Sequence, residues 1–130
     1  MAAEYMDEWA PSAKEAAHIG LRDVLDGESG NAFITVHRDD DSLLATLELQ
    51  RPCATVDSLT GQFTALIGDR EEDAPNGGFA DYATLRDSSG DAIRSMECVQ
   101  GSEPVPGKCV LNTLQIELGG RVELVSFIVV

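Results

Sequence analysis

Apolar residues recur along this chain first at helical and then at strand spacing. Ala17, Leu21, Val24 and Leu25 form one stripe at steps of three or four, and Gly27 to Gly30 end it. That spacing predicts a helix over 12–26. Ser12 and Glu15 stand at the spacing of a capping box, in which each side chain satisfies a backbone donor of the first turn. From Asn31 the period becomes two. Ala32, Ile34 and Val36 alternate, Asp39 to Asp41 turns the chain, and Leu43, Ala45, Leu47 and Leu49 alternate with Thr46 and Glu48. Pro52 is expected to end that second strand, because it cannot donate to a ladder. A third strand follows near Gly61 to Ile67, with Phe63, Ala65 and Ile67 on one face.

Gly68 to Gly78 is acidic and glycine-rich, which predicts a long mobile loop. Phe79 to Arg86 and Ala92 to Val99 read as a hairpin about Asp87-Ser88-Ser89-Gly90, and Gly101 to Gly107 as a second loop. The last twenty residues carry the clearest pattern. Leu111 to Leu118 and Arg121 to Val130 are apolar-rich runs split by Gly119-Gly120, the signature of a two-residue hairpin turn. Val125, Phe127 and Val129 add a second apolar face to Leu124, Ile128 and Val130, so the final strand should meet protein on both sides and run to the end of the sequence. No strand-helix-strand alternation occurs. The fold class expected is mainly β: an antiparallel β-sandwich of about seven to eight strands, preceded by one N-terminal α-helix. Residues 1–10 read as an arm, and 11–130 as a single domain.

Composition narrows the function. A 130-residue chain that is 43% hydrophobic and 5% aromatic suits one mainly aliphatic core. Its net charge of −14 repels nucleic acid and anionic membranes and favours a basic partner. Glu4, Asp7 and Glu8 replace the basic start of a secretion signal, and no apolar run is long enough to span a membrane. Cys53, Cys98 and Cys109 are unevenly spaced, which suggests reduced thiols in a cytosol-made protein. Cys98 and Cys109 flank a loop holding Pro104 and Pro106, so their pairing is left open.

Chemistry is sparse. His18 and His37 lack paired ligand spacing, and both read as surface or internally satisfied residues. Asp39 to Asp41 and Asp87 to Asp91 read as solvated turns before calcium ligands. The serine-hydrolase elbow and the glycine-rich phosphate motifs are missing from the sequence. No cofactor is expected. The arm is the candidate partner site: Tyr5, Met6 and Trp9 are apolar and interleaved with acids.

Three stretches carry a resemblance. They are Leu43-Leu44-Ala45-Thr46-Leu47-Glu48-Leu49, Ala80-Asp81-Tyr82-Ala83-Thr84-Leu85-Arg86-Asp87-Ser88-Ser89-Gly90, and Leu111 to Ile116 with Gly119 to Phe127. Over about 12–130 the chain resembles small all-β virion proteins of tailed bacteriophages, which decorate heads or build tail parts. The resemblance implies a non-enzymatic capsid decoration or cement protein. It would bind the major capsid protein on the virion surface, self-associate as a dimer or trimer, and assemble in the host cytoplasm. Contact with nucleic acid or membrane is not expected. A tail or connector component is the alternative. So is a small carbohydrate-binding β-sandwich for host attachment, with Tyr5, Trp9 and Tyr82 as the aromatic candidates.

Overall fold

The computed structural model describes residues 10–27 and 30–130. Among these, one helix precedes nine strands: α1 (Pro11–Leu25), β1 (Phe33–His37), β2 (Leu43–Val56), β3 (Phe63–Ile67), β4 (Gly78–Phe79), β5 (Tyr82–Arg86), β6 (Ala92–Gln100), β7 (Cys109–Leu111), β8 (Gln115–Ile116) and β9 (Leu124–Val129). The mainly-β class with a leading helix holds. The architecture is a closed barrel in the order β1-β2-β3-β9-β7-β6-β5, with β4 and β8 paired separately, in place of the expected sandwich.

The physical reason lies in β2. Its first half pairs with β1, from Phe33↔Glu48 to His37↔Leu43. Its second half pairs with β3, from Ala54↔Ala65 to Val56↔Phe63, after a register shift between Leu49 and Ala54. Pro52 lies in that shift, so the strand passes through it and does not end there. A bulge bends a strand and leaves residues out of the ladder, where a missing N–H costs nothing. The Arg51–Pro52 peptide is cis. The Cys53 N–H leaves the ladder and donates to the Asp26 carboxylate at 3.1 and 3.2 Å. One strand therefore turns a corner and serves both halves. β5 then returns to pair with β1, which closes the sheet and removes its edges. The expectation of a purely antiparallel sheet is also corrected: β6 and β7 are parallel.

Inside sit Ile34, Val36, Leu47, Leu49, Leu85 and Phe127, all buried. Ile67, expected on the inner face with Phe63 and Ala65, is 37% exposed. β9 is buried on both faces, Phe127 and Val129 on one and Ser126 and Ile128 on the other. That double burial is reached within the chain itself, and the stretch before β7 continues along the strand's edge, where the Gly107 N–H donates to the Ile128 carbonyl at 2.9 Å. The strand's apolar surplus thus needs no second subunit to cover it.

The helix differs from its expected form in two ways. Pro11 occupies the first position and Ala10 is the cap, with no side-chain cap hydrogen bond. Ser12 is already inside the first turn, so it does not form the capping box. Val24 is 60% exposed, while His18 and Leu25 are buried. The buried face is therefore His18, Leu21 and Leu25, at the i, i+3, i+7 spacing of one helix side. His18 Nδ1 donates to the Gly61 carbonyl at 2.7 Å, and its ring meets Phe63 edge-on at 6.0 Å. Those contacts dock α1 on the β2–β3 turn.

Candidate docking flap

Tyr5, Met6 and Trp9, the sequence-predicted partner residues, lie outside the described residues. The surface feature with the most to offer a partner is one the sequence pattern did not mark. It is built from two connections between barrel strands, 68–81 from β3 to β5 and 112–123 from β7 to β9.

The acidic connection is not a loose loop. Glu71 and Val122 exchange both backbone hydrogen bonds at 3.0 Å. Ala74 donates to the Gly120 carbonyl at 2.9 Å and accepts from the Gly119 N–H at 2.8 Å. β4 pairs with β8, Gly78↔Ile116 and Phe79↔Gln115, and the Ala80 N–H donates to the Leu114 carbonyl at 2.8 Å. Beneath this zipper Ala74, Ala80, Ile116 and Val122 are buried and join the barrel core. The two connections form a flap pinned by its own apolar underside.

The Gly119-Gly120 hairpin is therefore corrected. β8 pairs with β4 and β9 pairs with β3 and β7, so the runs on either side of the glycines do not pair as strands. The turn spans Glu117 to Gly120, whose N–H donates to the Glu117 carbonyl at 2.8 Å. Gly119, third in the turn, has φ +76°, the position that demands positive φ in a type II turn. Gly120 has no such φ.

The flap is acidic: its two connections carry seven carboxylates against Arg70 and Arg121. Arg70 donates to Glu72 at 2.6 Å and to Glu123 at 2.8 Å, and Arg121 lies 3.5 Å from Glu72. The Arg70 hydrogen bond holds the Glu72 carboxyl below its ordinary range. All four side chains are solvent-exposed, so the network orders the surface more than it stabilises the fold. It borders an open groove of about 600 Å³ lined by Ile67, Gly68, Asp69 and Leu124. On the same two connections Phe79 is 60% exposed and Leu118 is 73% exposed, each within two residues of an exposed carboxylate, Asp81 and Glu117. Exposed large apolar side chains among charged neighbours are the anatomy of a protein contact site. The signal that would have found them is their company: each adjoins a Gly-Gly pair, Gly77-Gly78 and Gly119-Gly120.

The other chemistry-bearing residues are engaged internally. Asp40 accepts from the Ser42 N–H at 3.1 Å and from its hydroxyl, and the hydroxyl bond leads in holding its carboxyl below the usual range. Asp87 accepts from the N–H groups of Ser89 and Asp91 at 3.1 and 3.0 Å. These acids shape their turns. Among the described residues no three His, Cys, Asp or Glu side chains converge as a metal site would require.

On the outer face of β1 and β5 a hydrogen-bonded chain runs from Arg86 to Asp41. The Arg86 Nε–H donates to Thr35 Oγ1 at 2.9 Å, and Thr35 Oγ1 lies 2.8 Å from His37 Nε2. His37 Nδ1 meets the Asp41 carbonyl at 3.2 Å. A carbonyl only accepts, so Nδ1 donates to Asp41, and Nε2 shares its hydrogen bond with the Thr35 hydroxyl. Tyr82 stacks on His37 with centroids 5.0 Å apart, and its hydroxyl donates to Asp41. That hydrogen bond pushes the Tyr82 hydroxyl above its ordinary pKa. Tyr82 is thus held against the barrel wall and is not the unengaged aromatic that sugar stacking would need.

Comparison of the chain with family models, curated proteins and solved structures finds no match to any of them.

Proposed function

We propose that this chain is a non-enzymatic virion structural protein of a tailed bacteriophage, a head decoration or cement protein that binds the major capsid protein. The observation that carries the reading is the flap: Phe79 and Leu118 stand exposed on an acidic segment pinned to a closed barrel. A rigid mount with two apolar anchors loses little conformational entropy on binding, and anchors of this kind carry most of an interface's energy. The flap's acidic charge selects a basic partner surface and disfavours nucleic acid and anionic lipid. The sequence resemblance supplies the viral context. Under this reading the protein sits on the capsid surface after assembly in the host cytoplasm. It associates as a dimer or trimer at capsid symmetry positions, and Tyr5, Met6 and Trp9 reach a neighbouring subunit.

Particle binding by flap variants tests the proposal. Phe79→Ala and Leu118→Ala should keep the wild-type melting curve and each weaken attachment by about tenfold or more. Deleting residues 1–10 asks the same of the arm. Unchanged occupancy in all three variants would overturn the docking assignment. A quantitative inventory of purified particles then separates the locations. Many copies per particle place the protein on the shell, a handful place it in the tail or connector, and none ends the virion reading.

A further inference from the structure

Cys98 and Cys109 face each other across the parallel seam of the barrel. They are directly opposite in the β6–β7 register, followed by Val99↔Val110 and Gln100↔Leu111. Both are free thiols and buried, and the register sets the two side chains on the same side of the seam. Adjacent strands lie about 4.8 Å apart, inside the roughly 4.4–6.8 Å that Cα atoms span across a disulfide. Cys53 is differently placed. It lies on β2, which neighbours β1 and β3 and touches neither β6 nor β7 in the barrel order.

The geometry points to an intramolecular cross-link site: Cys98 and Cys109 are oxidised to one disulfide by a low-molecular-weight disulfide of the glutathione class, and the bond welds the β6–β7 seam. One cysteine, as its thiolate, attacks the small disulfide, releases one thiol and leaves a mixed disulfide. The other cysteine then displaces the second small thiol. Two S–H bonds are lost and one S–S bond forms, and the small disulfide takes up two electrons and two protons as two thiols.

The location gives the bond a purpose. Parallel pairs are slightly less stable per residue than antiparallel ones, and this seam is three residue pairs long. It is also where the chain returns through the exposed 101–106 stretch. A link there shortens the unfolded ensemble and closes the seam where a barrel so built would open first. The neighbouring Cys98 thiol and burial both raise the Cys109 thiol pKa, so exchange is slow in the closed barrel and fastest as the chain folds. The protein would be built reduced and would harden in oxidising surroundings. Cys53 stays a thiol, because burial first and Asp26 second push its pKa up to about 12.

The test is refolding of the full chain, and of Cys53→Ser, in a buffer of reduced and oxidised glutathione, followed by alkylation, intact mass and tryptic mapping. The expected product is about 2 Da lighter, with one alkylated cysteine in the wild type and none in Cys53→Ser. Trypsin should release residues 95–108 joined to 109–121. The melting temperature should rise by roughly 5–10 °C, revert with dithiothreitol, and show no oxidant response in Cys98→Ser. Three alkylated thiols after oxidative refolding, or a link through Cys53 or between chains, would overturn the site. A bond that forms without raising the melting temperature would overturn the seam-welding role.

Discussion

Gly119 and Gly120 are neighbours that should fail for different reasons. Gly119 has φ +76° and room for a side chain, its nearest contact being Asp73 Oδ1 at 3.5 Å. An L-residue there costs about 1–2 kcal/mol in backbone strain, and Asn, which tolerates the left-handed region, costs less. Gly120 lacks the positive φ, but a Cβ there would stand 2.8 Å from the Glu117 carbonyl oxygen, closer than real Cβ atoms come. That oxygen is already fixed by the Gly120 N–H, so the turn itself must shift, at a cost of about 1–3 kcal/mol. For a chain of this size each kcal/mol lowers the melting temperature by roughly 3–5 °C. The expected order is therefore Gly119→Asn mildest, Gly119→Ala intermediate, and Gly119→Val with Gly120→Ala, Gly120→Asn and Gly120→Val worst. A hairpin with positive φ at both positions would make Asn equally tolerable at each. Circular-dichroism melts of the six variants decide between the two. Hydrogen exchange at the Gly119 amide, bonded to the Ala74 carbonyl, reads whether the flap loosens with the turn. Asn as costly as Val at position 119, or a neutral Gly120→Ala, would refute the reasoning.

Two further predictions follow from the same geometry. Gly61→Ala places a Cβ 2.7 Å from backbone atoms of Pro11 and Glu15 at φ +74°, so it should undock α1 and cost roughly 3 kcal/mol, read by urea denaturation; an unchanged midpoint would remove Gly61 from the helix seat. Cys53, with its pKa raised to about 12 in the folded protein, contributes stability that is complete below the unfolded value near 9 and is lost as pH rises toward 12. Melting temperatures should therefore fall from pH 9 upward, and less steeply in Cys53→Ala; equal slopes would show that the buried thiol does not drive the alkaline loss.

The local elements were largely legible, and the closure was not. Period-two runs at Ile34, Leu47 and Leu85 mark inward faces because one side of each strand meets the core. What the period does not encode is which strands share a ladder. Pro52 looks like a terminator in sequence, yet it sits in the register gap where β2 turns from β1 to β3. Ser12 fits a capping pattern by spacing, yet Pro11 moves the helix start ahead of it. The acidic run from Asp69 to Asp73 has the composition of a mobile loop, and its order comes from a long-range partner, 119–122, that no local rule connects to it. Phe79 and Leu118 stand at the ends of two expected strands, Phe79 to Arg86 and Leu111 to Leu118, and the local pattern does not mark either as exposed. Their exposure follows from the short β4–β8 ribbon, which offers too little sheet to bury both faces.

The contrast between the barrel wall and the flap explains why binding should fall on the flap. Across β2, β1, β5 and β6 the register aligns Thr46, Thr35, Thr84 and Ser95 in one row. Thr84 and Ser95 share a hydrogen bond at 2.8 Å, while Thr35 is held between Arg86 and His37. The donors and acceptors of Thr35, Thr84 and Ser95 are already engaged, so a partner docking there would exchange made hydrogen bonds for others of similar worth, with little net gain. The flap differs in kind. Its polar groups are joined in the Arg70–Glu72–Glu123 network, but Phe79 and Leu118 keep apolar surface in water, and each gives free energy to whatever covers it. Burying a side chain of this size is worth about 1.5–3 kcal/mol. The two together would supply several kcal/mol before any charge pairing, provided the mount stays rigid. The same residues therefore link the two tests: a Gly120→Val flap that loosens without unfolding the barrel should lose particle binding as Phe79→Ala does, though Phe79 and Leu118 are both still present. Full binding by a loosened flap would separate docking from the flap's order and return the partner contact to another surface.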